Sequence, residues 1–179
     1  MDAEEKEKEK KKRKRQIGVL GHMFMGKRLH RYTPGGDVQI EAIETNIKSK
    51  FVVMKHEALK AGLHYDLRFR LPKSKLWMSF AVKKGVPLKP GPKHLAIRTH
   101  DHSEKEALMV GKIDPPAYGA GKLTKWDGGS CTIIRFSPGY IGIDFGGSKV
   151  KGVYHLVNLG VMKKDYKKQN YWLFKGKEL

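Results

Sequence analysis

Cysteine is all but absent: Cys131 stands alone among 179 residues. One thiol builds neither a disulfide framework nor a cysteine zinc site, and a reducing compartment is the simplest setting. Such compartments are the cytoplasm or nucleoid, or the nucleus if the cell is eukaryotic. Long apolar runs are missing too. Nothing approaches the roughly 18 consecutive apolar residues of a membrane span, so no membrane partner is expected. The N-terminus has no apolar stretch of the secretory kind, and its acidic residues are foreign to mitochondrial transit peptides. Acidic charge is in short supply: 18 Asp and Glu face 37 Lys and Arg, a formal charge of +19. That excess points to nucleic acid ahead of an anionic membrane surface, with mere solubility as the bland alternative. The length suits one domain with a real core.

Residues 1–16, MDAEEKEKEKKKRKRQ, are almost wholly charged and read as a disordered tail or a solvated helix. The KKKRKR run fits a nuclear-import signal or a phosphate-tracking arm, and equally a plain solvated charge run. Residues 17–50, with glycine breaks and a Pro-Gly-Gly turn, read as an irregular wrapping segment. From 51 to 179 the texture is short apolar runs about ten residues apart with Gly/Pro turns between them. That pattern predicts a mainly β fold, an antiparallel barrel or sandwich, without long amphipathic helices. FVVMK, LHYDLRFR, LWMSFAV, HLAIRTH, KLTKW, CTIIRF, YIGIDF, KVKGVYHLVNL and YWLFK are the expected strands. Trp77, Trp126 and Trp172 are expected to fill the core.

The stretch 63–70 alternates strictly. Leu63, Tyr65, Leu67 and Phe69 share one parity, and His64, Asp66, Arg68 and Arg70 the other. On a half-buried strand, residues two apart lie on one face at about 6–7 Å spacing. An imidazole, a carboxylate and a guanidinium therefore stand in a row, with His56 at the end of the preceding strand. Two imidazoles and a carboxylate can hold a divalent ion. Without thiolates that ion is expected to be hard or borderline, Mn²⁺ foremost and Zn²⁺ or another divalent ion also allowed. Arg68 is the expected phosphate grip. The HDH cluster at 100–102 supplies His102 as a candidate acid or oxyanion stabiliser. His94 and Arg98, on the parity of His100, are candidates for lining the phosphate's approach. The YGAG loop (118–121) lacks the Lys-Ser/Thr ending and following helix of a phosphate loop, and reads as a tight turn.

Several separated motifs, in order, carry a resemblance. They are FVVMKH with LHYDLRFRL, WMSFAVKKGVPLKP, HLAIRTHDHS, GKIDPPAYGAGKLTKWDGGS, GGSKVKGVYHLVNL and YWLFKGKEL. Together they resemble the 3′-phosphoesterase domain that accompanies bacterial DNA ligase D and also occurs alone in archaea and other bacteria. The resemblance covers nearly all of 51–179, and KRLHRYTP (27–34) is faintly similar to the family's basic segment. It implies a compact β-barrel that uses Mn²⁺ to trim a 3′-terminal ribonucleotide and remove a 3′-phosphate from DNA or RNA–DNA ends. His56, His64 and Asp66 would be metal ligands, and Arg68 and His102 would contact the scissile phosphate. A DNA ligase or polymerase is the implied partner.

The chain also departs from the family pattern. His56 and His64 are eight positions apart where the family has six. Glu106 stands where the family has a phosphate-contacting Tyr, His94 where it has an Arg, and Ile-Asp-Pro-Pro where it has Ile-Pro-Glu-Gly. These changes leave the metal face intact and fall on the phosphate half. Two rivals follow: a catalytically impaired nucleic-acid-binding subunit of a larger assembly, and a zinc hydrolase of small phosphoesters.

Overall fold

The computed structural model describes residues 22–25, 28–33, 36–41, 44–71, 74–137, 139–162 and 165–177. The charged tail read over 1–16 lies outside them. Between its undescribed residues, the stretch before the barrel carries β1 (His22–Met25), β2 (Arg28–Thr33) and β3 (Gly36–Glu41). These pair antiparallel among themselves and do not join the main sheet.

The main sheet contains β4 (Glu44–Ala58), β5 (Gly62–Arg70), β6 (Trp77–Val82), β7 (His94–Arg98), β9 (Gly121–Ser137), β10 (Tyr140–Gly146), β11 (Lys151–Met162) and β12 (Asp165–Lys175). They run in the order β10-β11-β12-β7-β6-β5-β4-β9, and β9 pairs back with β10. The result is a closed, antiparallel eight-stranded barrel, which hides every main edge from stray pairing. The barrel expectation is borne out. KLTKW and CTIIRF prove to be the two ends of one 17-residue strand, β9, which spans the Gly128-Gly129 pair without a break. Its first half carries β8 (Gly111–Ile113) and its second half β10. β4 starts at Glu44, ahead of the Phe51 where the apolar run sets in.

Alternate residues of each strand fill the interior. Phe51, Val53, Leu67, Phe69, Phe80, Ile133, Phe145 and Leu173 belong to one buried cluster. Phe51 packs on Phe145 at 4.5 Å between ring centres, tying β4 to β10, and Phe80 meets Tyr171 edge-on at 5.1 Å. Burying each such side chain stabilises by about 1.5–3 kcal/mol. Cys131 is buried here, and burial pushes its thiol up to about 12, so it is chemically inert. Trp77 is buried and Trp126 half-buried against the core. Trp172 departs from the expectation: its parity on β12 turns it outward, 37% exposed.

A second, smaller apolar cluster lies outside the barrel wall. Val52 and Met54 of β4, Trp77 of β6 and Leu123 of β9 pack with Ala107 of α1 (Glu104–Ala107). This single helical turn is a roof. A capping box starts it: the Ser103 hydroxyl accepts from the Glu106 amide at 3.3 Å, and the Glu106 carboxylate accepts from the Ser103 amide at 2.8 Å. The roof determines what happens to the polar row beneath it.

Candidate metal and phosphate site

β4 and β5 form a hairpin in which His56 stands directly opposite His64, and Met54 opposite Asp66. The extra residues between the histidines lie in the turn after Ala58, which Gly62 closes at φ +74°, a conformation that disfavours any Cβ. A hairpin keeps its pairs opposed whatever the turn length, so the wider His56–His64 spacing does not separate the ligands. Leu67 and Phe69 point into the barrel, so His64, Asp66 and Arg68 point outward.

Outward here does not mean wet. His56 and His64 are each 7% exposed, and Asp66 and Arg68 each 4%. The polar parity is covered by α1 and by the turn around Gly119. This corrects the expectation of a row merely standing above a half-buried strand. Asp66 is the hub. Its Oδ2 lies 3.3 Å from His56 Nδ1 and 2.9 Å from Arg68 Nη2, and its Oδ1 lies 3.2 Å from His64 Nε2. Burial pushes the carboxyl up. The hydrogen bonds from His56 and His64 and the charge of Arg68 overcome this and hold it well below the usual carboxylate range. The hydrogen bond to Asp66 outweighs burial at His64 and raises its pKa.

The far nitrogen of each imidazole carries information about tautomers. His56 Nε2 lies 2.8 Å from the Gly119 carbonyl, and His64 Nδ1 lies 2.9 Å from the Gly62 carbonyl. A carbonyl oxygen only accepts, so these two nitrogens carry the hydrogens. In the neutral rings, His56 Nδ1 and His64 Nε2 then aim lone pairs at a carboxylate. Such an arrangement is repulsive unless a proton or a cation sits between them. Candidate donor atoms on His56, His64 and Asp66 all lie within 4.8 Å of one another. Carbonyl-oriented imidazoles beside an ionised carboxylate are the donor set and outer shell of a divalent-metal site, and the residues fit the group.

Arg68 is anchored on all sides. Nε donates to Ser79 Oγ at 3.3 Å, Nη1 to the carbonyls of Glu106 at 3.2 Å and Ala107 at 3.0 Å, and Nη2 to Asp66. Every guanidinium nitrogen already has a protein acceptor. A bidentate grip on phosphate would displace one of these bonds, so the arginine's first contribution is a fixed positive charge. His102 shares this face, because its backbone pairs with Trp77, which pairs in turn with Arg70. Burial, the charge of Arg68 and that of His100 push His102 down to about 4. It is a neutral imidazole at pH 7. The ring of His100 lies 4.2 Å from it.

His94 and Arg98 are not brought to this cluster. Arg98 pairs with Phe80 across the ladder and so falls on the interior parity, 1% exposed, with Nη2 bonded to Asp101 Oδ1 at 2.8 Å. His94 pairs with Leu173 of the core, and its Nδ1 contacts the Gly85 carbonyl at 2.6 Å. The strand ends at Arg98, so parity does not carry on to His100, whose ring packs on His102 while His94 and Arg98 fall on the other face of the sheet. The Glu106 carboxylate is bonded to Ser103, and its charge also acts on Arg68 and His102. Sequence reasoning did not name the Gly62 and Gly119 carbonyls or Ser79. The only available signal for Gly119 was the tight YGAG turn itself.

The closed β-barrel thus bears a buried His-His-Asp cluster that could hold a metal ion, with an arginine and a further histidine beside it. Comparison with known proteins gives the family. Residues 54–158 match the model of the DNA Ligase D 3′-phosphoesterase domain, and the chain belongs to that family. It is 35% identical over 128 residues to the multifunctional non-homologous end joining protein LigD of Mycolicibacterium smegmatis, covering 65% of this chain and 16% of that protein. The LigD of Pseudomonas aeruginosa is 32% identical over 158 residues, covering 85% of this chain and 18% of the relative. The chain thus spans less than a fifth of the length of these relatives. Family membership supports a phosphoesterase role at DNA ends. No helix among the described residues is long and apolar enough to cross a membrane.

Proposed function

We propose that this chain is a divalent-metal-dependent 3′-end-processing phosphoesterase that removes 3′-terminal ribonucleotides, 3′-phosphates or both from DNA or RNA–DNA ends. The observation that carries the reading is the convergence of two imidazole nitrogens on one buried carboxylate, with the far nitrogen of each ring set against a backbone carbonyl. His56, His64 and Asp66 would hold the ion, with Mn²⁺ the first candidate and Zn²⁺ the second. A bound divalent ion supplies Lewis-acid polarisation of a phosphoryl oxygen and a more acidic water.

The chain's own groups do the rest. Asp66 stays ionised, which keeps a ligand and a counter-charge for Arg68 in one place. Arg68 offsets charge that develops on the phosphoryl oxygens. Neutral His102 offers a ring N–H to such an oxygen, or a lone pair to a proton leaving water, without adding charge of its own. A net charge of +19 favours capture of the polyanion, so binding should weaken steeply with salt. A DNA ligase or polymerase is the proposed working partner.

The test is a primer–template with a single 3′-terminal ribonucleotide, incubated with Mn²⁺. Trimming that vanishes in His64→Ala and with chelator supports the reading. The rival is a binding subunit without turnover. It predicts that the same end is bound, equally in both conditions, and never cut. The basic tail and Glu106 motivate that rival; the Glu106 carboxylate accepts from the Ser103 amide and hydroxyl in the helix cap.

A further inference from the structure

Tyr118 is the most exposed aromatic side chain among the described residues, at 83%. It sits in the turn that precedes β9, and that turn is pinned to the site from two sides. The next residue's carbonyl, on Gly119, accepts from His56 Nε2, and the Ala120 carbonyl accepts from the Leu59 amide at 2.9 Å. Within the turn, the Ala117 amide donates to Asp114 O and the Ala120 amide to Ala117 O, each at 3.2 Å. The phenol ring meets His100 edge-on, 5.6 Å between centres, and His100 in turn packs on His102. A ring this exposed contributes little burial to folding. Yet its backbone is held rigidly, one residue from the carbonyl that orients a metal ligand.

We propose that Tyr118 is a substrate-contacting residue, a stacking platform for the 3′-terminal base of a nucleic-acid end whose phosphate lies at the His56–His64–Asp66 cluster. Stacking on an aromatic face tolerates every base, which suits an activity that must accept ends of any sequence. The T-shaped contact with His100 gives the ring a defined neighbour while 83% of the residue stays exposed. The adjoining β4–β5 turn, tied to this one by the Leu59 amide, exposes Leu59 and Lys60, an apolar side chain and a cation of the kinds that suit bases and a phosphate backbone. The inference rests on the proposed function of the site and names the part of the substrate that this site grips.

The experiment compares wild type, Tyr118→Ala and Tyr118→Phe on the primer–template with one 3′-terminal ribonucleotide, and on the same end with an abasic terminal ribose. On the normal end, Tyr118→Ala should raise KM roughly tenfold, the scale of one lost base stack, with kcat little changed. Tyr118→Phe should behave as wild type. On the abasic end, all three proteins should behave alike. Thermal unfolding of both variants should match wild type. An unchanged KM in Tyr118→Ala overturns the inference and leaves the exposed ring to a protein partner. An equal penalty on normal and abasic ends also overturns it, because the ring would then act through His56 or His100. If the wild type itself neither trims nor binds the end, the reading of the site falls first, and this inference with it.

Discussion

β5 carries two sets of side chains that obey different rules. Leu67 and Phe69 face the barrel interior, where they are one part of a large apolar cluster contributed by every barrel strand. His64, Asp66 and Arg68, on alternate positions of the same strand, face a small roof made by α1 and the Gly119 turn. The interior is overdetermined: area removed from water is additive, and many residues share the task. The outer face is not. Each of its polar groups depends on one or two named partners, several of them backbone carbonyls distant in sequence. Losing one partner leaves another group buried and unpaired.

The comparison is most sharply broken at Asp66. Asp66→Ala should abolish metal binding and trimming. It should also destabilise by about 3–5 kcal/mol, because Arg68 keeps its buried charge without its carboxylate. Metal titration and urea unfolding check the two effects separately. Leu67→Ala, one residue along, should cost a similar 2–5 kcal/mol through a cavity. Its folded fraction should nevertheless bind metal and trim normally. Equal loss of activity per folded molecule would mean that interior and site are not separable. Arg68→Lys should be milder in stability. The ammonium cannot reach Asp66, Ser79 and both α1 carbonyls together, so metal affinity should hold while kcat falls by roughly 10–100-fold. Loss of the metal in that variant would refute the division of roles.

The interior was legible from the sequence because alternation is a local signal: LHYDLRFR, FVVMK and LWMSFAV all became strands, with Leu67 and Phe69 inside as their parity predicts. The family motifs made the His56–His64–Asp66–Arg68 face legible too. His94 and Arg98 were misplaced because parity within a strand does not reveal which parity is interior. That needs the register with Phe80 and Leu173, a long-range fact. The roof was harder. Ser103-x-x-Glu106 is a capping-box signature, and it lay in plain view. Glu106 was weighed against the family's Tyr instead. That the helix it starts would lend carbonyls to Arg68, nearly forty residues earlier in the chain, has no local trace. Trp172 faces outward by the same parity argument that places Leu173 inside.

The central claim is that His56, His64 and Asp66 converge on a divalent ion. The most direct test is an anomalous-difference map from crystals soaked in Mn²⁺. The account predicts a single peak within coordination distance of His56 Nδ1, His64 Nε2 and an Asp66 oxygen, lost in His64→Ala. No density there, with both imidazoles still bonded to Asp66 under saturating Mn²⁺, would contradict it and reduce the cluster to a buried ion pair.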